Sequence, residues 1–136
     1  MSLFRIVYAS EAVGAVRDGL LPLIDIIGVS DRNNRRDQLT GVLLRHGGLF
    51  LQVVEGARVD LDRLMSRLAD DRRHANLRIL ADRPVESRMF PDWAMARLDA
   101  TPEFEAFIEG GLETPDAGAR AERLLADACR SMAVAP

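Results

Sequence analysis

The sequence predicts an α+β domain of the ferredoxin-like, split βαββαβ type. Its sheet has five strands, with two helices on one face and two C-terminal helices on the other. Three observations predict it. Apolar runs rich in β-formers alternate with amphipathic segments in the order β-α-β-β-α-β, and a short fifth strand follows. The two central runs meet at His46-Gly47-Gly48, a hairpin signal. Two further segments at helical spacing, each preceded by a Thr-Pro pair, close the chain.

The elements follow in order. "LFRIVYAS" (3–10) is a first strand. A helix starts near Leu20, with Pro22 in its first turn, where a missing N–H costs little; Leu23, Ile26 and Ile27 form its stripe. The polar cluster "SDRNNRRD" (30–37) reads as the loop that ends it. Residues 38–56 hold the hairpin. In residues 58–74, Leu61, Leu64, Met65 and Leu68 share one helical face. Residues 77–90 read as a fourth strand interrupted by turn chemistry. Residues 92–99 alternate Trp93, Met95 and Arg97 against Ala94, Ala96 and Leu98, a fifth strand. Thr101-Pro102 caps a helix that stops at Gly110-Gly111, and Thr114-Pro115 opens the last one. There Ala121, Leu124, Leu125, Ala128, Cys129 and Met132 recur at helical spacing. Residues 1–98 thus form one domain, and residues 99–136 a helical extension that covers the sheet face left bare.

Composition narrows the chemistry. A chain of 136 residues with 48% hydrophobic and 29% charged residues is an ordinary globular domain. One cysteine, Cys129, excludes a disulfide framework, and two histidines make a zinc site a poor fit. No signal peptide or bilayer-length apolar run is present, so the expected setting is cytoplasmic, with no membrane partner. All 18 basic residues are arginine, as in a GC-rich bacterial genome, which removes lysine chemistry. The net charge of −3 gives no drive toward nucleic acid. Residues 101–136 hold seven acids and three arginines, an acidic tail suited to an unknown downstream protein or a homo-oligomer surface.

Several polar residues stand out of place. Tyr8, the only tyrosine, shares a strand face with Phe4 and Ile6: either a core aromatic with its hydroxyl on a backbone carbonyl, or a site residue. Gln52 shares a face with Phe50 and Val54; it is either an edge position in water or buried with polar partners. Asn33-Asn34 reads as a helix cap or as a binding pair, and Arg67 and Asp71 as a solvated i,i+4 ion pair or as site groups. Trp93 and Met95 read as sheet-face packing. In a split-βαβ sheet, however, the first and third strands are neighbours. Tyr8 and Gln52 then meet beneath a groove walled by Ile26 and Leu68, with Asn34 and Arg67 reaching in. Such a slot suits a planar heterocycle with imide-like edges.

The set "RIVYAS", S-x-x-NN (30–34), "TGVLLRHGGLFLQVVEG" (40–56), "DDRRH" (70–74) and "RMFPDWAM" (88–95) resembles the BLUF domain, the blue-light sensor using FAD. The resemblance covers about residues 1 to 98. It implies an FAD site, with FMN or riboflavin as substitutes. Tyr8 matches the photoactive tyrosine that donates an electron and a proton to the excited flavin. Gln52 matches the glutamine between that tyrosine and the flavin N5/C4=O edge. Asn34 matches the asparagine on the C4=O/N3 edge, with Asn33 and Ser30 beside it. Arg67 and Asp71 match polar contacts to the pyrimidine carbonyls or ribityl chain, and Ile26 and Leu68 the apolar clamps. Trp93 and Met95 match the pair that relays the light state to the C-terminal helices. His74 joins Arg35, Arg36, Arg72 and Arg73 as candidates on the phosphate side. Arg45 stands where an aromatic is common and Ala94 where a serine is common.

The implied activity is not enzymatic. Light rearranges the Gln52 amide, by rotation or tautomerisation, and red-shifts the flavin band without net redox change; glutamine suits this because it donates and accepts at once. With no effector domain after residue 136, the resemblance is to the short, stand-alone type. Three alternatives remain on the residues alone. One is a light-independent ligand-binding or dimerisation module on the same fold. Another is an acylphosphatase-like hydrolase, which lacks its anion loop after the first strand. The third is a flavin oxidoreductase, for which no nicotinamide or substrate site is evident.

Overall fold

The computed structural model describes residues 2–17, 19–90 and 94–133, with the backbone alone at 16 and 131–133, so the side chain of Met132 lies outside the description. The elements are β1 (Leu3–Ala12), a 3-10 turn (Gly14–Arg17), α1 (Leu20–Asp37), β2 (Thr40–His46), β3 (Leu49–Gly56), α2 (Arg58–Ala69), β4 (His74–Val85), β5 (Ala96–Leu98), α3 (Pro102–Gly110) and α4 (Ala117–Ala133). The strands lie in the order β4-β1-β3-β2-β5, antiparallel except for the β2–β5 pair. This is the five-stranded α+β arrangement that the sequence predicts.

Alternation sorts the two faces. On β1 and β3, Ile6 pairs Val54, Tyr8 pairs Gln52 and Ser10 pairs Phe50. Ile6, Tyr8 and Val54 pack with Leu39 and Leu61, on the α2 side. Phe50 packs with Leu23, Leu43 and Met95, on the α1 side. The intervening residues Val7, Ala9, Leu51 and Val53 point the other way, into a core closed by Phe104, Phe107 and Ile108 of α3 and Ala121, Leu125 and Cys129 of α4. Each large side chain buried there contributes about 1.5–3 kcal/mol. The hairpin between β2 and β3 turns on Gly47 (φ 58) and Gly48 (φ 75), two left-handed residues in sequence, as a primed turn requires.

Boundaries differ where polar residues hide periodicity. The stretch 30–37 is not a loop: it forms the last turns of α1, supported by an Asp31–Arg35 pair at 2.9 Å. The inner face of α1 continues through Ile26, Ser30 and Asn34 at four-residue spacing, but facing a site rather than apolar core, so the apolar signature vanishes. The left-handed cap is Gln38 (φ 56), and Asn34 sits inside the final turn. α2 ends at Ala69 rather than 74, and β4 spans 74–85 rather than 77–90. β5 has only three residues. Thr101 caps α3, accepting from Phe104 N at 3.4 Å. Thr114 donates to Gly111 O within a turn, so α4 starts two residues beyond Pro115.

Candidate functional site

The groove over Tyr8 and Gln52 is floored by Tyr8 and Ser10 of β1, Leu43 of β2 and Phe50 and Gln52 of β3. Ile26, Ser30 and Asn34 of α1 form one wall, and Leu64 and Leu68 of α2 the other. Asp71, Arg73, His74 and Met95 complete the lining, and the space is about 540 Å³, its open mouth included.

Its centre is a hydrogen-bonded chain. The Tyr8 hydroxyl, on a residue 2% exposed, donates to Gln52 Oε1. Gln52 Nε2 donates to Met95 Sδ at 3.7 Å, a weak acceptor. Burial, and then the nearby Asp71 carboxylate, push the Tyr8 pKa far above its ordinary value, so the phenol keeps its proton. Asp71 is held below the usual carboxylate range, chiefly by the Arg73 side chain at 2.6 Å, so it remains an anion. His74 Nε2 lies 2.7 Å from Leu68 O and joins the start of β4 to the end of α2.

Two atoms in the lining have no partner. Ser10 Oγ and Asn34 Oδ1 are buried and make no hydrogen bond with the described residues, while Asn34 Nδ2 donates to Ala94 O at 2.6 Å. An orphaned buried polar atom costs about 1–3 kcal/mol. A planar ligand whose edge carries donors and acceptors, between apolar walls, satisfies both. The lining therefore fits a flavin ring: amides at Asn34 and Gln52, a hydroxyl at Ser10, apolar faces at Ile26, Leu64 and Leu68.

Of the residues singled out in the sequence, Tyr8, Ile26, Ser30, Asn34, Gln52, Leu68, Asp71, Arg73, His74 and Met95 come together in this groove. Arg67 does not line it. It reaches Asp37 at 3.4 Å, and Asp71 is taken by Arg73, so the i,i+4 pair of Arg67 and Asp71 does not form. Asn33 is half-buried outside the lining, one helical step round from Asn34. Trp93 lies outside the described residues. Ser10, Leu43, Phe50 and Leu64 were not singled out for the site. Ser10 and Phe50 are two residues from Tyr8 and Gln52 on the same strand faces, and Leu64 is one turn before Leu68. Arg45 donates to Gly19 O at 2.6 Å, tying the hairpin to the start of α1. Among the described residues no group of His, Cys, Asp and Glu could hold a metal ion, and no helix is long and apolar enough to cross a membrane.

A second polar constellation tethers the segment that leads to Met95. Glu55 is fully buried; its carboxylate accepts from Arg5 Nε at 2.8 Å and from Met89 N at 2.8 and 3.0 Å. Arg88 donates to Thr40 Oγ1, Glu55 O and Gln38 O, clamping residues 88–89 to β2, β3 and the end of α1.

A family model described as sensors of blue-light using FAD, the BLUF domain, matches residues 3–96. Photoactivated adenylate cyclase subunit beta of Euglena longa is 32% identical over 94 residues, covering 69% of this chain and 11% of the relative. The alpha subunit of Euglena gracilis is 32% identical over 93 residues, 9% of its own length. The chain spans about a tenth of the length of these curated relatives. The solved dark state of BlrB, a BLUF protein, has a TM-score of 0.79 at 29% identity, covering 93% of this chain and 96% of that one. A bacterial light-regulated adenylyl cyclase has a TM-score of 0.67 at 32% identity, covering 97% of this chain and 35% of that one. A buried tyrosine–glutamine pair in a polar-edged groove and a family match over residues 3–96 lead to one conclusion: this chain belongs to the BLUF family of blue-light sensors.

Proposed function

We propose that the flavin of this sensor is FAD, bound non-covalently between α1 and α2, and that Tyr8 and Gln52 form its light switch. One observation carries the reading. The buried Tyr8–Gln52 pair shares its groove with two orphaned polar atoms, Ser10 Oγ and Asn34 Oδ1. Asn34 Oδ1 and the Gln52 amide would hold the polar edge of the ring, and Ile26 and Leu68 would pack on its faces. Asp71, Arg73 and His74 supply charged wall for the rest of the cofactor. FMN and riboflavin, which keep the ring, serve as substitutes.

Bound there, the flavin supplies blue-light absorption and a strong photo-oxidant. The chain supplies the proton path and the memory. In the dark Tyr8 Oη holds its proton against Gln52 Oε1, kept there by burial. After light Gln52 presents the opposite pattern, by rotation or by tautomerisation, and both its neighbours feel the change. Met95 touches Gln52 directly and stands at the entry to β5, whose Leu98 packs in the core beneath α3 and α4. Residues 1–98 act as the sensor and residues 99–136 as the output element, a two-state device biased by one local change. A downstream protein or a second copy reads those helices; the named relatives that carry cyclases show one kind of effector such a sensor serves.

The purified chain should be yellow. Blue light should shift its visible band slightly to the red, and darkness should restore it. Gln52→Leu should bind flavin and show no shift; a normal shift in that variant would overturn the switch.

A further inference from the structure

We infer a second ligand site, for a phosphoryl dianion, on the sheet face away from the flavin groove. It lies where β4, the 87–89 turn and α4 meet, and it goes beyond the light-sensing reading. Arg5, Arg83, Arg88 and Arg123 line an open groove of about 830 Å³ there, with Ser87 and Glu122 beside them.

Charge is the first argument. Arg5 of β1 is the direct register partner of Arg83 of β4, a like-charge pair whose repulsion an anion between them relieves. Glu122 of α4 supplies one, at 2.6 Å from Arg83 Nη2 and 3.7 Å from Arg5 Nη1. Arg5 also holds Glu55. Those two carboxylates offset two of the four guanidinium groups. Arg88 donates to three neutral oxygens, of Thr40, Glu55 and Gln38, and forms no ion pair with the described residues. Arg123 is exposed and makes no hydrogen bond or ion pair with the described residues. Among the described residues two positive charges are left over in this lining, in a chain whose net charge is −3.

Geometry is the second. Arg88 is half-buried and fixed by its three acceptors, so its charge is preorganised rather than free to swing. Arg123 supplies an unused fork suited to bidentate contact with an oxyanion, and the Ser87 hydroxyl a further donor. A dianion with several oxygens matches both the excess of charge and the spread of donors. The groove has room for the small molecule that carries it.

The test uses the flavin-loaded full chain. Sodium phosphate and adenosine monophosphate are titrated against sodium chloride at equal ionic strength, by calorimetry and thermal unfolding. Saturable binding of phosphate, tighter for the nucleotide, is expected. Arg123→Ala should weaken it at least tenfold and Arg123→Glu abolish it. Arg97→Ala, an exposed arginine paired with Asp99 elsewhere on the surface, should leave it intact. No saturable binding, equal binding in Arg123→Glu, or binding of a phosphoserine peptide with neither small phosphate would each overturn the site. The light-induced red shift is read on the same samples, so failure of the photoreceptor reading shows separately.

Discussion

Tyr8 and Gln52 are directly opposed residues of adjacent antiparallel strands, and the phenol donates to the amide carbonyl in a place sealed from water. A cross-strand register fixes their distance more firmly than loop residues could, because a one-residue slip would turn both side chains to the other face. Tyr8→Phe should therefore leave the fold intact and orphan Gln52 Oε1, destabilising by about 1–3 kcal/mol. The red shift should disappear while flavin remains bound. Chemical denaturation and light-minus-dark spectra check both parts.

The same burial makes an alkaline prediction. The folded pKa of Tyr8 lies far above the unfolded value of 10.0, so the phenol's contribution to stability is complete below pH 10 and is lost as pH rises beyond it. Cys129 adds in the same direction, since burial pushes its thiol from 9.0 up to about 11. Stability measured between pH 8 and 11 should fall from about pH 9 upward. Replacing both Tyr8 by Phe and Cys129 by Ala should flatten that fall.

Gly41 leaves the space that Met95 fills. A Cβ at Gly41 would lie 2.9 Å from Met95 Cε and 3.2 Å from Val53 O. Gly41→Ala should push Met95 off Gln52, alter the size of the red shift and change dark recovery. Combining it with Met95→Ala should remove the clash, so the two substitutions are strongly non-additive in the stability of the flavin-free protein. Simple additivity would show that the contact does not matter.

Ser10 Oγ has no partner among the described residues, so Ser10→Ala should cost the flavin-free protein nothing or stabilise it slightly. Flavin affinity should fall several-fold. Equal affinity, measured by fluorescence quenching of added FAD, would remove Ser10 from the site.

Glu55 is the most buried charge in the described structure, and Arg5 and the Met89 N–H depend on it. Glu55→Ala should destabilise by about 3–5 kcal/mol, because it leaves part of a buried network unpaired. Thermal unfolding measures this directly.

Much of this was legible in the sequence. The strand order follows from the alternation of helices and strands, and the Tyr8–Gln52 contact follows from that order. What stayed hidden had a physical reason. The end of α1 carries no apolar signature because its inner face turns polar at Ser30 and Asn34, where it lines the groove rather than the core. Ser10 carries no signal of its own, being a small serine in a strand; only its place two residues after Tyr8 marks it. The spacing of Arg67 on α2 pointed to a pair with Asp71, yet its long side chain reaches Asp37, a residue of another helix that no local spacing reveals. The Arg5–Glu55–Met89 tether joins residues too far apart in sequence for any local pattern to show it.

Asn34 divides its amide between two tasks. Nδ2 holds the backbone at Ala94, beside Met95, while Oδ1 is left without a partner in the groove. Both atoms belong to one rigid plane, so whatever satisfies Oδ1 also sets the angle at which the lead-in to β5 is gripped. A chromophore that engaged Oδ1 would therefore bear, through one amide, on the backbone that leads into β5.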